Sequence, residues 1–154
     1  VMTVNNSVKV VPMISTVFCK TSFEGVHFYE GAPDEVVYLK HAHRHTFGVQ
    51  VELQVYDDDR EIEFIMLKHS VNRWLNQRCV DGVWPMGGMS CEMVAKDLAD
   101  AIANAFGIDF TKPRKFSVTI DEDVENGASV GGVVAPIVLK HEPEFSEEIG
   151  DENE

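Results

Sequence analysis

His27, His43 and His45 are the residues whose types and spacing offer chemistry. His43-Arg44-His45 alternates within a stretch that reads as a strand, and a period of two aims both imidazoles at one face. His27 follows Phe23-Glu24-Gly25-Val26 at the end of a second strand-like segment that begins near Ile14. Three neutral imidazoles with one open position make a catalytic zinc set, in which the metal acts as a Lewis acid. A bare H-x-H, here with His41 beside it, is equally a polar strand end facing water, and His27 is what favours the metal. Cys19, Cys79 and Cys91 form no C-x-x-C pair, so no zinc ribbon or redox motif competes.

The elements that must position these histidines follow from periodicity. Phe47, Val49, Val51, Leu53 and Val55 alternate with mostly polar neighbours, which predicts a half-buried strand over 46–56 ending at Asp57-Asp58-Asp59. Phe64, Leu67, Val71, Trp74 and Leu75 recur at helical spacing, predicting a helix from Phe64 to Gln77. Gly82, Pro85, Gly87 and Gly88 then predict a loop over 81–89. Ser90 is placed as the N-cap of a second helix, with Met93, Val94, Leu98, Ile102 and Phe106 on its apolar side and Gly107 at its end. Two strands near 115–121 and 128–139 follow, joined by the hairpin signal Asn126-Gly127. The order is ββααββ.

The 154 residues are 44% hydrophobic, which suits one domain, taken as 1–140. Residues 141–154 carry seven of the carboxylates behind the net charge of −13 and no Lys or Arg, leaving −6 on the rest. Such an acidic tail is expected to be solvated and disordered. The charge argues against nucleic acid as a partner, and no apolar run reaches the roughly 20 residues of a bilayer span. An odd cysteine count and the lack of a signal-like N-terminus predict a soluble, cytoplasmic protein.

From about residue 14 to 139 the chain resembles the 6-pyruvoyl- and 6-carboxytetrahydropterin synthases. Phe23 to His27 stands where that family has F-x-x-x-H, and His43-Arg44-His45-Thr46-Phe47 where it has H-G-H-N-aromatic. Glu63-Phe64-Ile65-Met66-Leu67-Lys68 is similar to its D-F-x-x-L-K, and Met89-Ser90-Cys91-Glu92 to its P-T-x-E. The resemblance implies an α+β tunnelling fold, a four-stranded antiparallel sheet with two helices on one face. It also implies zinc on His27, His43 and His45, a homohexamer with pockets between subunits, and action on a pterin or guanine-derived triphosphate in pterin or 7-deazaguanine biosynthesis. The family's pterin-anchoring glutamate falls on Glu122, which by itself reads as a turn acid among Asp121, Asp123 and Glu125. A carboxylate suits that role because it accepts two hydrogen bonds from the amino and ring N–H edge. Glu92 fits either substrate binding or the first-turn acid that a helix dipole favours.

Departures from the family bear on catalysis. The family's cysteine base, four residues before the first histidine of H-x-H, is Leu39 here, and an aliphatic side chain takes no proton. Val71-Asn72-Arg73-Trp74-Leu75-Asn76 keeps only the final Leu-Asn of the segment that supplies the acid/base partner. Candidate replacements are Cys91, whose place at a helix start predicts a lowered thiol pKa, His41 as a fourth imidazole or proton carrier, and the loop acids Asp34 and Glu35. Each has a plain alternative as a packing or surface group, and His69 is read as a surface residue. With the base in question, a binding protein without turnover and a zinc enzyme with a different pterin side-chain reaction stand beside the synthase reading.

Overall fold

A computed structural model of the protein describes residues 8, 9 and 11–137. Its order is β1 (Ser15–His27), a 3-10 segment (Asp34–Lys40), β2 (His43–Val55), α1 (Phe64–Asn76), β3 (Val83–Gly87), α2 (Cys91–Ala105), β4 (Arg114–Glu122) and β5 (Asn126–Val134). The acidic segment 141–154 lies outside the described residues. No described helix is long and apolar enough to cross a membrane.

The sheet runs β3-β1-β2-β4-β5, so it has five strands where the sequence predicts four. β1, β2, β4 and β5 pair antiparallel, while the added strand β3 is parallel to β1. Glycines and a proline hide β3 in the sequence. Pro85 is tolerated because β3 lies at the sheet edge, where a missing N–H breaks no ladder bond. Trp84 and Met86, both buried, show that the segment faces the core rather than solvent.

Alternation does the positioning. Cys19 and Phe23 of β1, Phe47, Val49, Val51 and Leu53 of β2, and Val118 and Ile120 of β4 share one buried face. Against it pack Leu67, Val71 and Trp74 of α1 and Val94, Leu98 and Ile102 of α2. Glu63 caps α1 by accepting from the Met66 N–H at 2.9 Å, and Ser90 caps α2 by accepting from the Met93 N–H at 3.3 Å. Gly107, at φ 69°, follows the end of α2 in the left-handed conformation that glycine adopts freely.

The last hairpin turn begins three residues earlier than Asn126-Gly127 predicts. Glu122 pairs with Asn126 and Asp121 with Gly127, so the turn is Asp123-Val124-Glu125 and Asn126-Gly127 already belongs to β5. Asp123 and Val124 hold positive φ values of 54° and 63°. Tertiary bonds fix that conformation: the Asp123 N–H donates to the Thr46 carbonyl at 2.9 Å, and its Oδ1 accepts from the Thr46 N–H at 3.0 Å. Gly127 is needed for space, because a Cβ there would strike the Ile120 carbonyl.

At the far end of the sheet, Arg114 is buried and pairs with Glu61. Arg114 also donates to the carbonyls of Asp109 at 2.9 Å and Gln54 at 3.1 Å. This knot ties the β2–α1 and α2–β4 connections together, and sequence periodicity gives no sign of it.

Candidate metal centre and pocket

The site is the continuation of the core face beyond the helices. Past Phe23 on β1 come Gly25 and His27, before Phe47 on β2 come His45 and His43, and after Ile120 on β4 comes Glu122, all with the same parity. His27 pairs with His43, Gly25 with His45 and Phe47 with Glu122 across the strands. Gly25 gives Met86 and Phe47 room, since a Cβ there would lie 2.6 Å from Met86 Sδ and 2.8 Å from Phe47 Cε2.

One ring nitrogen from each of His27, His43 and His45 lies within 4.8 Å of the other two, so the three could hold a metal ion. Their tautomers follow from their partners. Nδ1 of His27 faces the Met89 carbonyl at 3.1 Å, Nδ1 of His43 the His41 carbonyl at 2.7 Å, and Nδ1 of His45 the Asp123 carboxylate at 2.6 Å. A carbonyl or carboxylate oxygen can only accept, so each Nδ1 carries a proton, and in the neutral imidazole Nε2 is then the nitrogen with the lone pair for a metal. Outer partners of this kind orient metal-ligating histidines. Asp123 is held below the ordinary carboxylate pKa by the His45 bond first and the Thr46 N–H second, so it stays an acceptor. Nε2 of His27 is buried and makes no hydrogen bond, so it is available to a cation. The donor set therefore fits a first-row divalent cation.

Beside the imidazoles opens a cavity of about 480 Å³. Its walls include His27, His43, Phe28, Tyr29, Leu39, Met89, Ser90, Cys91, Glu92, Glu122 and the start of β5. The size suits a small heterocyclic ligand. β3 contributes indirectly: its Gly87 carbonyl accepts from the Phe28 N–H at 2.9 Å, and the chain leaving it delivers Met89 to His27.

The other sequence candidates separate here. Cys91 is buried at the start of α2 and lines the cavity, but its thiol is pushed up to about 12, by burial first and then by the negative charges of Glu122, Glu92 and Asp121. The expected lowering by the helix dipole is outweighed, and Cys91 is a thiol whose Sγ stands 4.0 Å from Glu122 Oε1. His41 follows the 3-10 segment rather than lying on β2; its side chain is exposed, and its carbonyl serves His43. Asp34, Glu35 and His69 are exposed, whereas Leu39 lines the cavity. Glu92 faces the cavity, held below the usual carboxylate range by its own N–H and by Ser90. Glu122 stands against the metal cluster, with Oε1 3.2 Å from His27 Nε2 and Oε2 3.7 Å from His45 Nε2. Asp123, absent from the sequence candidates, was detectable only as one more acid in a turn.

Solved structures superpose on this arrangement of strands and helices. The 6-pyruvoyl tetrahydropterin synthase of Plasmodium falciparum superposes with a TM-score of 0.58 at 17% identity, over 77% of this chain and 98% of that one. The chain has the fold of the 6-pyruvoyl tetrahydropterin synthases. The Plasmodium vivax synthase gives 0.58 at 17% identity over 78% and 98% of the two chains, and the Caenorhabditis elegans synthase 0.55 at 18% over 78% and 96%. No protein-family model and no curated protein sequence matches the chain. The tunnelling fold expected from the sequence resemblance is thus the observed one, with the fifth strand as its correction.

Proposed function

We propose that the protein is a zinc-dependent pterin-site protein of the 6-pyruvoyl/6-carboxytetrahydropterin synthase type, acting on 7,8-dihydroneopterin triphosphate in pterin or 7-deazaguanine biosynthesis. The observation that carries this reading is the convergence of one ring nitrogen from each of three histidines beside a cavity of about 480 Å³ that His27 and His43 line, on this fold. A bound zinc would supply Lewis acidity toward the ligand's side-chain oxygens. The chain's own residues do the rest. Phe28, Tyr29, Leu39 and Met89 form apolar walls for a flat ring. Glu122 offers a carboxylate to the ring's amino and N–H edge, and Glu92 and Ser90 at the start of α2 line the cavity beside it.

A second reading, binding without turnover, is favoured by one pair of observations. Leu39 occupies the wall near His43 where a base is wanted, and the Cys91 thiol is pushed up to about 12. Incubation of zinc-loaded protein with 7,8-dihydroneopterin triphosphate, followed by product analysis, separates the two. Released triphosphate supports the lyase, and tight binding without release supports the binding protein. Calorimetry with neopterin or sepiapterin covers both: Glu122→Ala is expected to weaken binding by about 1.5–3 kcal/mol, the scale of a hydrogen bond to a charged group. Unchanged affinity removes Glu122 from ring recognition, and no binding of either pterin by the wild type ends the proposal.

Assembly is part of the reading. The nine-residue β5 has a neighbour on one side only in the described sheet, and an open edge of that length favours pairing with another chain. A homohexamer with pockets between subunits is expected, and light scattering at micromolar concentration reads its mass directly. A monomer would refute the assembly.

A further inference from the structure

We infer that Cys91 is a positioning residue of the cavity: its S–H donates to Oε1 of Glu122 and holds that carboxylate toward the ring. The inference rests on the proposed role of Glu122 as the carboxylate that meets the ring, and it adds the group that orients it. Cys91 opens α2, Glu122 ends β4, and both line the same cavity. Sγ of Cys91 stands 4.0 Å from Glu122 Oε1, within reach of a sulfur donor. An ionised carboxylate only accepts, so the proton of this bond comes from the thiol.

The two partners differ in freedom. Cys91 has a short side chain, is buried and packs in the core cluster, and Ser90 caps the helical turn that carries it. Glu122 has a long side chain with 30% of its surface exposed, and such a side chain loses rotamer freedom when it meets a ligand. A fixed donor at Oε1 removes part of that cost before the ligand arrives. Burial first, then the charges of Glu122, Glu92 and Asp121, push the thiol up to about 12, so it keeps its proton across the neutral range. The other close neighbours of Glu122 are Nε2 of His27 at 3.2 Å and Nε2 of His45 at 3.7 Å, the atoms proposed for the metal. A nitrogen that ligates a metal has no proton to offer, which leaves Cys91 as the side-chain donor to Glu122 among the described residues. The two oxygens of a carboxylate accept about four hydrogen bonds, so the thiol does not displace the two that the ring makes.

The test measures neopterin binding to the full, zinc-loaded chain by calorimetry, for wild type, Cys91→Ala, Cys91→Ser, Glu122→Ala and the Cys91→Ala, Glu122→Ala double variant. Cys91→Ala is expected to weaken binding about three- to tenfold, the scale of one hydrogen bond, and Cys91→Ser, which keeps a donor, to recover most of that loss. In the Glu122→Ala background Cys91→Ala is expected to cost nothing further, because the group it orients is gone. An equal loss in both backgrounds, or a Cys91→Ser variant as weak as Cys91→Ala, assigns Cys91 to packing and overturns the inference. Far-ultraviolet dichroism of each variant confirms that folded proteins are compared. Infrared absorption of the S–H stretch in the ligand-free protein reads the bond itself. The Cys91 band, identified by its loss in Cys91→Ala, should move to higher frequency in Glu122→Ala. An unmoved band overturns the inference alone, whereas a wild type that binds no neopterin overturns the proposed function and the inference with it.

Discussion

Replacing His43 and His45 together by alanine is expected to abolish metal binding, from about one ion per chain to none. The two residues sit two apart on β2 and supply two of the three converging nitrogens, with ring centroids 5.0 Å apart. The remaining imidazole, His27, cannot retain a divalent ion against water by itself. Both side chains are only partly buried, so the substitutions open no core cavity and the fold should persist. Metal analysis of the purified proteins measures the loss. Thermal unfolding adds a second readout, because a ligand at 100 times its dissociation constant stabilises by about 2.7 kcal/mol, and the double variant should gain none of it. Equal zinc in both proteins would remove the metal centre and with it the proposed function.

Glu61→Ala is expected to cost about 2 kcal/mol of stability, within the range for leaving a buried donor without its partner. Arg114 keeps 3% of its side chain exposed and cannot shed its charge, so without Glu61 a cation is left in the protein interior with only two carbonyl partners. Glu61 also accepts from the N–H groups of Tyr56 at 2.6 Å and Asp57 at 3.0 Å, and the loop between β2 and α1 loses that anchor too. Arg114 first, then those two N–H groups, hold Glu61 at about 2, well below its ordinary 4.5. A depressed carboxylate stabilises the folded state fully above its unfolded pKa. Its contribution therefore fades as pH falls from 4.5 toward about 2. Urea unfolding at neutral pH and at pH near 3 tests both statements. The midpoint should fall by about 1 M or more at neutral pH, and the gap between wild type and variant should narrow in acid. A variant as stable as wild type, or a gap that widens in acid, would show that the pair does not hold this end of the sheet.

The contrast between these two sites shows where sequence is informative. The three histidines were legible because alternation along a strand is a local property: parity alone puts His43 and His45 on the face of Phe47 and Val49. Both helices and the Ser90 cap were legible for the same reason, since apolar spacing and a capping hydroxyl act within a few residues. The tunnelling fold followed from the order and spacing of several short motifs, no one of which would have sufficed.

What the sequence could not supply are the contacts between segments far apart in the chain. β3 was hidden by Gly82, Pro85 and Gly87, residues that oppose a strand locally but are accepted at an edge paired to β1. Cys91 looked activated because a helix start lowers a thiol pKa, yet burial and three nearby acids win once the chain is folded. His41 looked like a fourth imidazole, but β2 begins two residues later, leaving its carbonyl rather than its ring in the site. The turn that begins at Asp123 was placed three residues late because its backbone is held by Thr46, 77 positions away in the sequence. By itself the sequence determined which faces the histidines share, through a period that each strand imposes on its own residues. Only tertiary structure decided which nitrogen of each histidine is free and where Glu122 stands, because Met89, the His41 carbonyl, Asp123 and the β4 register meet the imidazoles through pairings that no local pattern encodes.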